Sequence, residues 1–343
     1  MLRSQPTIHD IAKELNVSPS TVSRALKDHP RISKRTKAAV KEVAHRINYK
    51  HNNIASALRA GKSYMLGVII PTANRTFFGN VLRGIEQVAS QNGYNVLITQ
   101  SNDLVETEIK NIDTLLQAHV DGVILSIAKS TQNLDHLKRV KASGLPLVLF
   151  DRINENLGAS TVVIDDYQGA YTATRHLIEQ GCRRIAHFTG PKHINIYKYR
   201  LSGYREALAD AGLPFDQELV LQSQDLRLED GRRHMQELLE KGMGVDGLFA
   251  ASDYSAMGAI QVCKEHSISV PSDLAVVGFM NEPFTEFVEP GLSTIDQCSE
   301  EMGRLAAEIF LEQIEKGKDY TLRQSVLMPK LIQRTSSLKN KIV

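Results

Sequence analysis

The stretch Asn16-Val17-Ser18-Pro19-Ser20-Thr21-Val22-Ser23-Arg24-Ala25-Leu26 has the spacing of a helix and too little apolar surface to pack as one. Ser18 is placed to cap it. Pro19 stands at the first helical position, where a missing N–H costs nothing. Val22 and Leu26 face one way, while Ser20, Thr21, Ser23, Arg24 and Lys27 face the other. A polar face of small hydroxyls, one proline and one arginine is built to meet something other than the protein's own core.

Thr7-Ile8-His9-Asp10, just upstream, has the form of a capping box, and Ile8, Ile11, Ala12 and Leu15 follow at helical spacing. Only Asn16 and Val17 separate this helix from the next, which forces a sharp crossing. Ser33 opens a third helix with a buried stripe of Val40, Val43, Ala44 and Ile47. The pattern predicts a helix-turn-helix with a supporting helix. A helix that enters the DNA major groove needs small donors and acceptors at its N-terminal end, because bulk there holds the backbone away from base edges. Thr7, Ser18, Thr21, Ser23 and Thr36 can hydrogen-bond phosphates with help from the helix N-termini. Arg24 can reach guanine through a bidentate fork. Ser20, Pro19, Lys27 and Arg31 complete the expected contact set.

Charge points the same way. The net charge is +2, yet residues 1–62 hold 13 Lys and Arg against 4 Asp and Glu, while residues 63–343 hold 28 against 35. A small basic unit joined to a larger acidic one suits a polyanion-binding head on a regulatory body. With 42% hydrophobic and 23% charged residues in 343, the chain is expected to be soluble, globular and divided into more than one packing unit. Cys182, Cys263 and Cys298 are odd in number and lack metal spacing, which fits a reducing compartment. With no apolar leader and no long apolar run, the expected location is the cytoplasm, away from membranes.

Thr7-Ile8-His9-Asp10-Ile11-Ala12, Val17 to Leu26, and Ile47-Asn48-Tyr49 together resemble the headpiece of the LacI/GalR transcriptional regulators, and the likeness continues to the C-terminus. The resemblance implies a headpiece at 1–50 with Pro19, Ser20 and Arg24 at base-reading positions. Proline offers only a van der Waals surface, so direct readout rests more on Ser20 and Arg24. It implies a hinge helix at 51–62 that folds on DNA, including Asn52, Ala55 and Arg59, with Leu58 wedged into the central base step. Unstacking such a step costs about a few kcal/mol, recovered through contacts with the kinked duplex. Gly61-Lys62-Ser63 imitates the end of a P-loop, but Ser56 occupies the first glycine position and no strand precedes it.

Beyond residue 63, strand and helix signals alternate. Strands are expected at 64–71, 95–98, 122–127, 145–150, 184–190, 247–251 and 274–280, with helices near 78–92, 106–118 and 132–142 between the first of them. The expected fold class is an all-α head followed by an α/β body of two parallel-sheet lobes, with a ligand cleft between them. The resemblance implies a periplasmic-binding-protein-like body over 63–335. Its first lobe would span about 63–164 and 296–325, its second about 165–295 and 326–335, with a tail at 336–343.

By the same resemblance the effector-binding positions are Phe77, Phe78, Asp151, Asp165, Ile194, Ile196, Arg200, Leu226, Asp253 and Met280. Asp165 and Asp253 could equally cap helices. Met280 occupies a position where the family usually has aspartate, and methionine cannot accept hydrogen bonds comparably. A plain pentose or hexose is therefore not the expected effector; a small molecule is expected, carbohydrate-related, less polar or anionic, the last held by Arg200, with control by a protein partner or no response at all as the other possibilities. No GxGxxG, GxSxG, HExxH or metal-spaced cluster is present, so no enzyme, cofactor or metal is expected. A cytoplasmic solute receptor fits the lobes but not the head. Family behaviour implies a homodimer on a palindromic operator, with Pro283, Phe284, Phe287, Val288, Pro290 and Leu292 contributing to its interface.

Overall fold

A computed structural model describes residues 6–49 and 62–339. The chain divides into two compact units at Ser63/Tyr64.

The first unit has three helices: α1 (Ile8–Glu14), α2 (Pro19–Leu26) and α3 (Lys34–Arg46). Asn16, with φ of +49°, makes the turn between α1 and α2, and the Val17 N–H returns to the Ala12 carbonyl at 3.0 Å. The buried residues are Ile11, Ala12, Val22, Ala25, Val40, Val43 and Ala44. Leu26, expected to face inward, is only half-buried; Ala25 takes that place beside Val22. Each fully buried aliphatic of this set contributes about 1.5–3 kcal/mol, so a small core can hold a helix that is mostly polar.

The second unit contains two six-stranded sheets. The first runs β11-β5-β4-β3-β1-β2, built from β1 (Met65–Ile70), β2 (Asn95–Gln100), β3 (Gly122–Leu125), β4 (Leu147–Phe150), β5 (Ser160–Ile164) and β11 (Gln324–Leu327). The second runs β12-β10-β9-β8-β6-β7, built from β6 (Ile185–Thr189), β7 (Val220–Gln222), β8 (Gly247–Ala250), β9 (Ala275–Phe279), β10 (Ser293–Asp296) and β12 (Lys330–Ile332). Every pairing is parallel except that of β10 with β12. The short connection from β11 to β12 carries the chain between sheets and delivers it in the opposite sense.

The covering helices are α4 (Thr76–Gln91), α5 (Val105–Gln117), α6 (Asp135–Ala142), α7 (Asp166–Glu179), α8 (Asn195–Asp210), α9 (Leu228–Glu240), α10 (Asp253–Glu265), the short α11 (Phe284–Phe287) and α12 (Ser299–Lys316). α12 packs on the first sheet and α7 on the second, so the chain changes sheet near 165, 297 and 328. Three helix pairs meet backbone to backbone, among them α7 and α8, where a Cβ on Gly203 would lie 2.1 Å from the Tyr167 carbonyl oxygen. A Cβ on Gly303 of α12 would lie 2.0 Å from the Val81 carbonyl oxygen of α4, and one on Gly258 of α10 would lie 2.0 Å from that of Leu228 of α9. Glycine is required there because of close approach.

Two sequence expectations need correction. Ser336 and Ser337 are fully buried rather than part of a tail. The Ser336 hydroxyl donates to the Val276 carbonyl at 2.7 Å and accepts from the Ser293 N–H at 2.9 Å. The Ser337 hydroxyl lies 2.7 Å from both Ser293 Oγ and His176 Nε2. Internal partners satisfy both hydroxyls. Leu292 is fully buried in the core of the second sheet, because the Leu292 N–H bonds back to Thr285 at 2.8 Å and turns the side chain inward. It is not available to an interface.

Candidate functional site

In the head, the hydroxyl residues are organised by the helix starts. The Asp10 carboxylate accepts from the Thr7 N–H at 2.7 Å and from its hydroxyl at 2.8 Å. These bonds to Thr7 hold the Asp10 carboxyl below its ordinary value. Ser18 Oγ accepts from the Thr21 N–H at 3.2 Å and lies 2.8 and 2.9 Å from the hydroxyls of Ser20 and Thr21. Ser33 repeats the arrangement with the Thr36 N–H at 3.1 Å and its hydroxyl at 2.8 Å. Thr7, Ser18, Ser20, Arg24, Lys27 and Arg31 are exposed; Pro19, Thr21, Ser23 and Thr36 are half-buried. The start of α2 therefore presents a cluster of hydroxyls at a helix N-terminus, an arrangement suited to phosphate, with the Arg24 guanidinium one turn further on. Asn52, Ala55, Leu58 and Arg59 lie outside the described residues.

In the body, a cleft of about 680 Å³ lies at the C-terminal ends of the parallel strands, where α/β sheets receive ligands. Of the ten positions singled out from sequence, Phe77, Phe78, Asp151, Ile196, Arg200 and Met280 line it. The other four stand outside the lining. Asp165 caps α7 by accepting from the Gln168 N–H at 2.8 Å. Ile194 and Leu226 are buried in the core of the second lobe. Asp253 is fully buried, accepting from the Thr294 hydroxyl at 2.6 Å and the Glu282 N–H at 2.8 Å. Burial pushes its carboxyl up to about 7.

Arg200 is 1% exposed. Its Nε donates to Asp166 at 2.8 Å and its Nη1 to the Ala251 carbonyl at 3.1 Å, and its guanidinium lies 3.6 Å over the Phe279 ring. Asp166 thus neutralises the charge expected to hold an anion. Burial also pushes the Asp151 carboxyl upward, opposed by Arg152 and Arg200.

The cleft also contains charged residues that the sequence reading passed over. Asp103 pairs with Arg152 and lies 3.4 Å from Lys129 Nζ. Burial would raise the Asp103 carboxyl, but Arg152 and Lys129 hold it below its usual range. Lys129 also reaches Asp225 at 3.0 Å, and Asp225 accepts Arg227 at 3.1 Å. Since Lys129 follows β3 and Asp225 follows β7, the ion pair ties one half of the cleft to the other. Further ties are His193 Nε2 at 3.1 Å from the Lys129 carbonyl, and Asn195, whose amide donates to the Asp151 carbonyl at 3.0 Å. Beneath the Lys129 loop, the fully buried Glu108 carboxylate accepts from the Ala128 N–H at 2.6 Å and the Thr131 hydroxyl at 2.9 Å, with His136 Nε2 at 2.7 Å. For Lys129 and Arg152 a signal was present, since each stands two residues after an expected strand, 122–127 or 145–150, and charged side chains there mark a strand-end site; Asp225 and Arg227 follow β7, which was not expected.

Residues 7–52 match the family model for bacterial regulatory proteins of the lacI family, and residues 63–335 that for periplasmic binding proteins and the sugar-binding domain of the LacI family. The chain belongs to the LacI family. This LacI-family protein is a DNA-binding transcriptional regulator. It is 33% identical over 331 residues to the ribose operon repressor of Halalkalibacterium halodurans, covering 96% of this chain and 97% of the relative. A LacI-family regulator from Enterococcus faecium, solved with bound ribose, has a TM-score of 0.71 at 26% identity, over 81% of this chain and all of that one. The lac repressor dimer bound to operator and an anti-inducer has a TM-score of 0.87 at 22% identity, over 98% of this chain and 100% of that one, and shares the fold. Among the described residues, no helix is long and apolar enough to cross a membrane.

Proposed function

We propose that this LacI-family chain is a cytoplasmic repressor that binds a palindromic operator as a homodimer, and that a small molecule in the body's cleft sets its affinity for DNA. The observation that carries this reading is the cleft itself: a ligand-sized cavity whose two walls are cross-linked by Lys129–Asp225. A ligand that competes for those groups, or bridges them, binds one lobe arrangement better than another and so shifts the DNA-bound population. Phe287, 82% exposed beside Pro283, Phe284 and Pro290, supports the dimer. The ribose named for the Enterococcus faecium structure makes sugar-related compounds the first ligands to try. The protein is read as binding its ligand rather than transforming it, so the ligand should be recovered unchanged after incubation.

DNA binding should weaken steeply as salt rises, because each neutralised phosphate releases counterions. Fluorescence anisotropy on a duplex carrying a selected site measures this, and a flat response would remove the basic head from the account. The same titration with and without ligand shows whether the cleft is coupled to DNA.

A further inference from the structure

Most of the cleft's charge is internally matched, and the exceptions share one sign. The lining contains five cations, Arg75, Lys129, Arg152, Arg200 and Arg227, against three carboxylates, Asp103, Asp151 and Asp225. Burial pushes the Asp151 carboxyl upward, against the opposing pull of Arg152 and Arg200. Arg200 is saturated by Asp166 and a carbonyl, while Lys129 and Arg227 both lean on Asp225.

Arg152 and Arg75 are different. Arg152 is 8% exposed, gives Nη1 to Asp103 and holds its Nε 3.9 Å from the Asp151 carboxylate, too far for a hydrogen bond, so that the buried Nε–H has no hydrogen-bond acceptor. Arg75 gives Nη2 to the Asp225 carbonyl at 3.5 Å, with its guanidinium 4.2 Å over the Tyr254 ring, and leaves Nη1 buried without a partner. A buried guanidinium N–H with no acceptor is costly, and the acceptors that best relieve it are anionic oxygens. Phe77, Phe78, Ile196 and Met280 make another part of the lining apolar.

Resting on the effector-cleft reading above, we propose that the effector is a small organic anion, with its carboxylate or phosphate seated against Arg152 and Arg75. The carbon skeleton packs towards Phe77, Phe78 and Met280. Anion recognition therefore moves away from Arg200, whose guanidinium is already committed, to two arginines that retain donors.

The test uses the full chain, with thermal melting followed at constant ionic strength in ribose, inorganic phosphate, ribonate and ribose 5-phosphate. The expected result is a saturable stabilisation by one or more of the three anions and none by ribose, with the anion's apparent affinity falling about tenfold or more in Arg152→Gln. Arg75→Gln, at a half-buried residue, gives the same reading should Arg152→Gln fail to fold. Because the variants lie in the body, they separate cleft binding from phosphate taken up by the basic head. The carboxylate and phosphate arms distinguish the two anion chemistries. The proposal is overturned by ribose binding as well as the anions, by an anion response that survives in both variants, or by no saturable response to any anion. Operator binding measured on the same samples keeps the two readings apart: intact DNA binding without an anion response sinks only this proposal, whereas absent DNA binding sinks the repressor reading itself.

Discussion

Arg24 and Arg200 are the same side chain used in opposite ways. Arg24 is exposed on the outer face of α2, a helix that packs through the buried Val22 and Ala25 and the half-buried Leu26. Arg200 is 1% exposed, bonded to Asp166 and the Ala251 carbonyl, and stacked on Phe279. The first is kept available for an external partner; the second is part of the wall that shapes a cavity. The lesson is that a charged residue expected at a functional site acts through what it leaves unpaired, and burial alone does not show which arginine that is.

Arg200→Ala should have the largest effect on stability. It strands the buried Asp166 carboxylate, and breaking such a pair costs about 3–5 kcal/mol. Chemical denaturation followed by circular dichroism measures it; a change within error would mean that Asp166 finds another partner. Arg24→Ala should leave that denaturation curve in place and instead cost about 1–3 kcal/mol of discrimination at one base position. Competition between the selected site and its single-base variants reads this directly, and equal loss on every sequence would make Arg24 a phosphate contact.

These two residues also show what sequence could reveal. The head was legible almost entirely because its signals are local: a cap, a proline, a two-residue turn and an apolar stripe within forty residues. Phe77, Phe78, Asp151, Ile196, Arg200 and Met280 were placed at the cleft from motif position. The pairing of Arg200 with Asp166 was not, since it depends on α7 and α8 lying side by side. The Lys129–Asp225 tie joins residues 96 positions apart and has no local signature. Ser336 and Ser337 misled for the same reason, because their partners at Val276 and Ser293 are set only by the fold.

The smallest expected effect concerns Asp253, a buried carboxylate bonded to a hydroxyl and an N–H rather than to a cation. Its folded pKa of about 7 lies above the ordinary carboxylate value of 3.8. The folded state therefore holds a proton that the unfolded state releases between these values. The stability it contributes is fully present below about pH 4 and is lost as pH rises through 7, at no more than about 1.4 kcal/mol per pH unit. His187, pushed down to about 4 by burial, acts in the opposite direction as it resists protonation below its ordinary value of 6.5. Comparing wild type with Asp253→Asn isolates the first contribution: the gap between their stabilities should drift in favour of the variant from pH 5 to pH 7. A constant gap would place the Asp253 carboxyl in its ordinary range.

As proposed above, the outer face of α2 reads DNA bases and two copies do so together. Binding-site selection by the full-length protein from a pool of randomised duplexes tests it most directly. Enrichment of an inverted repeat whose half-sites lose their base preference in Arg24→Ala is the expected result. Enrichment of no sequence, or of a single unrepeated site unaffected by that change, would contradict it.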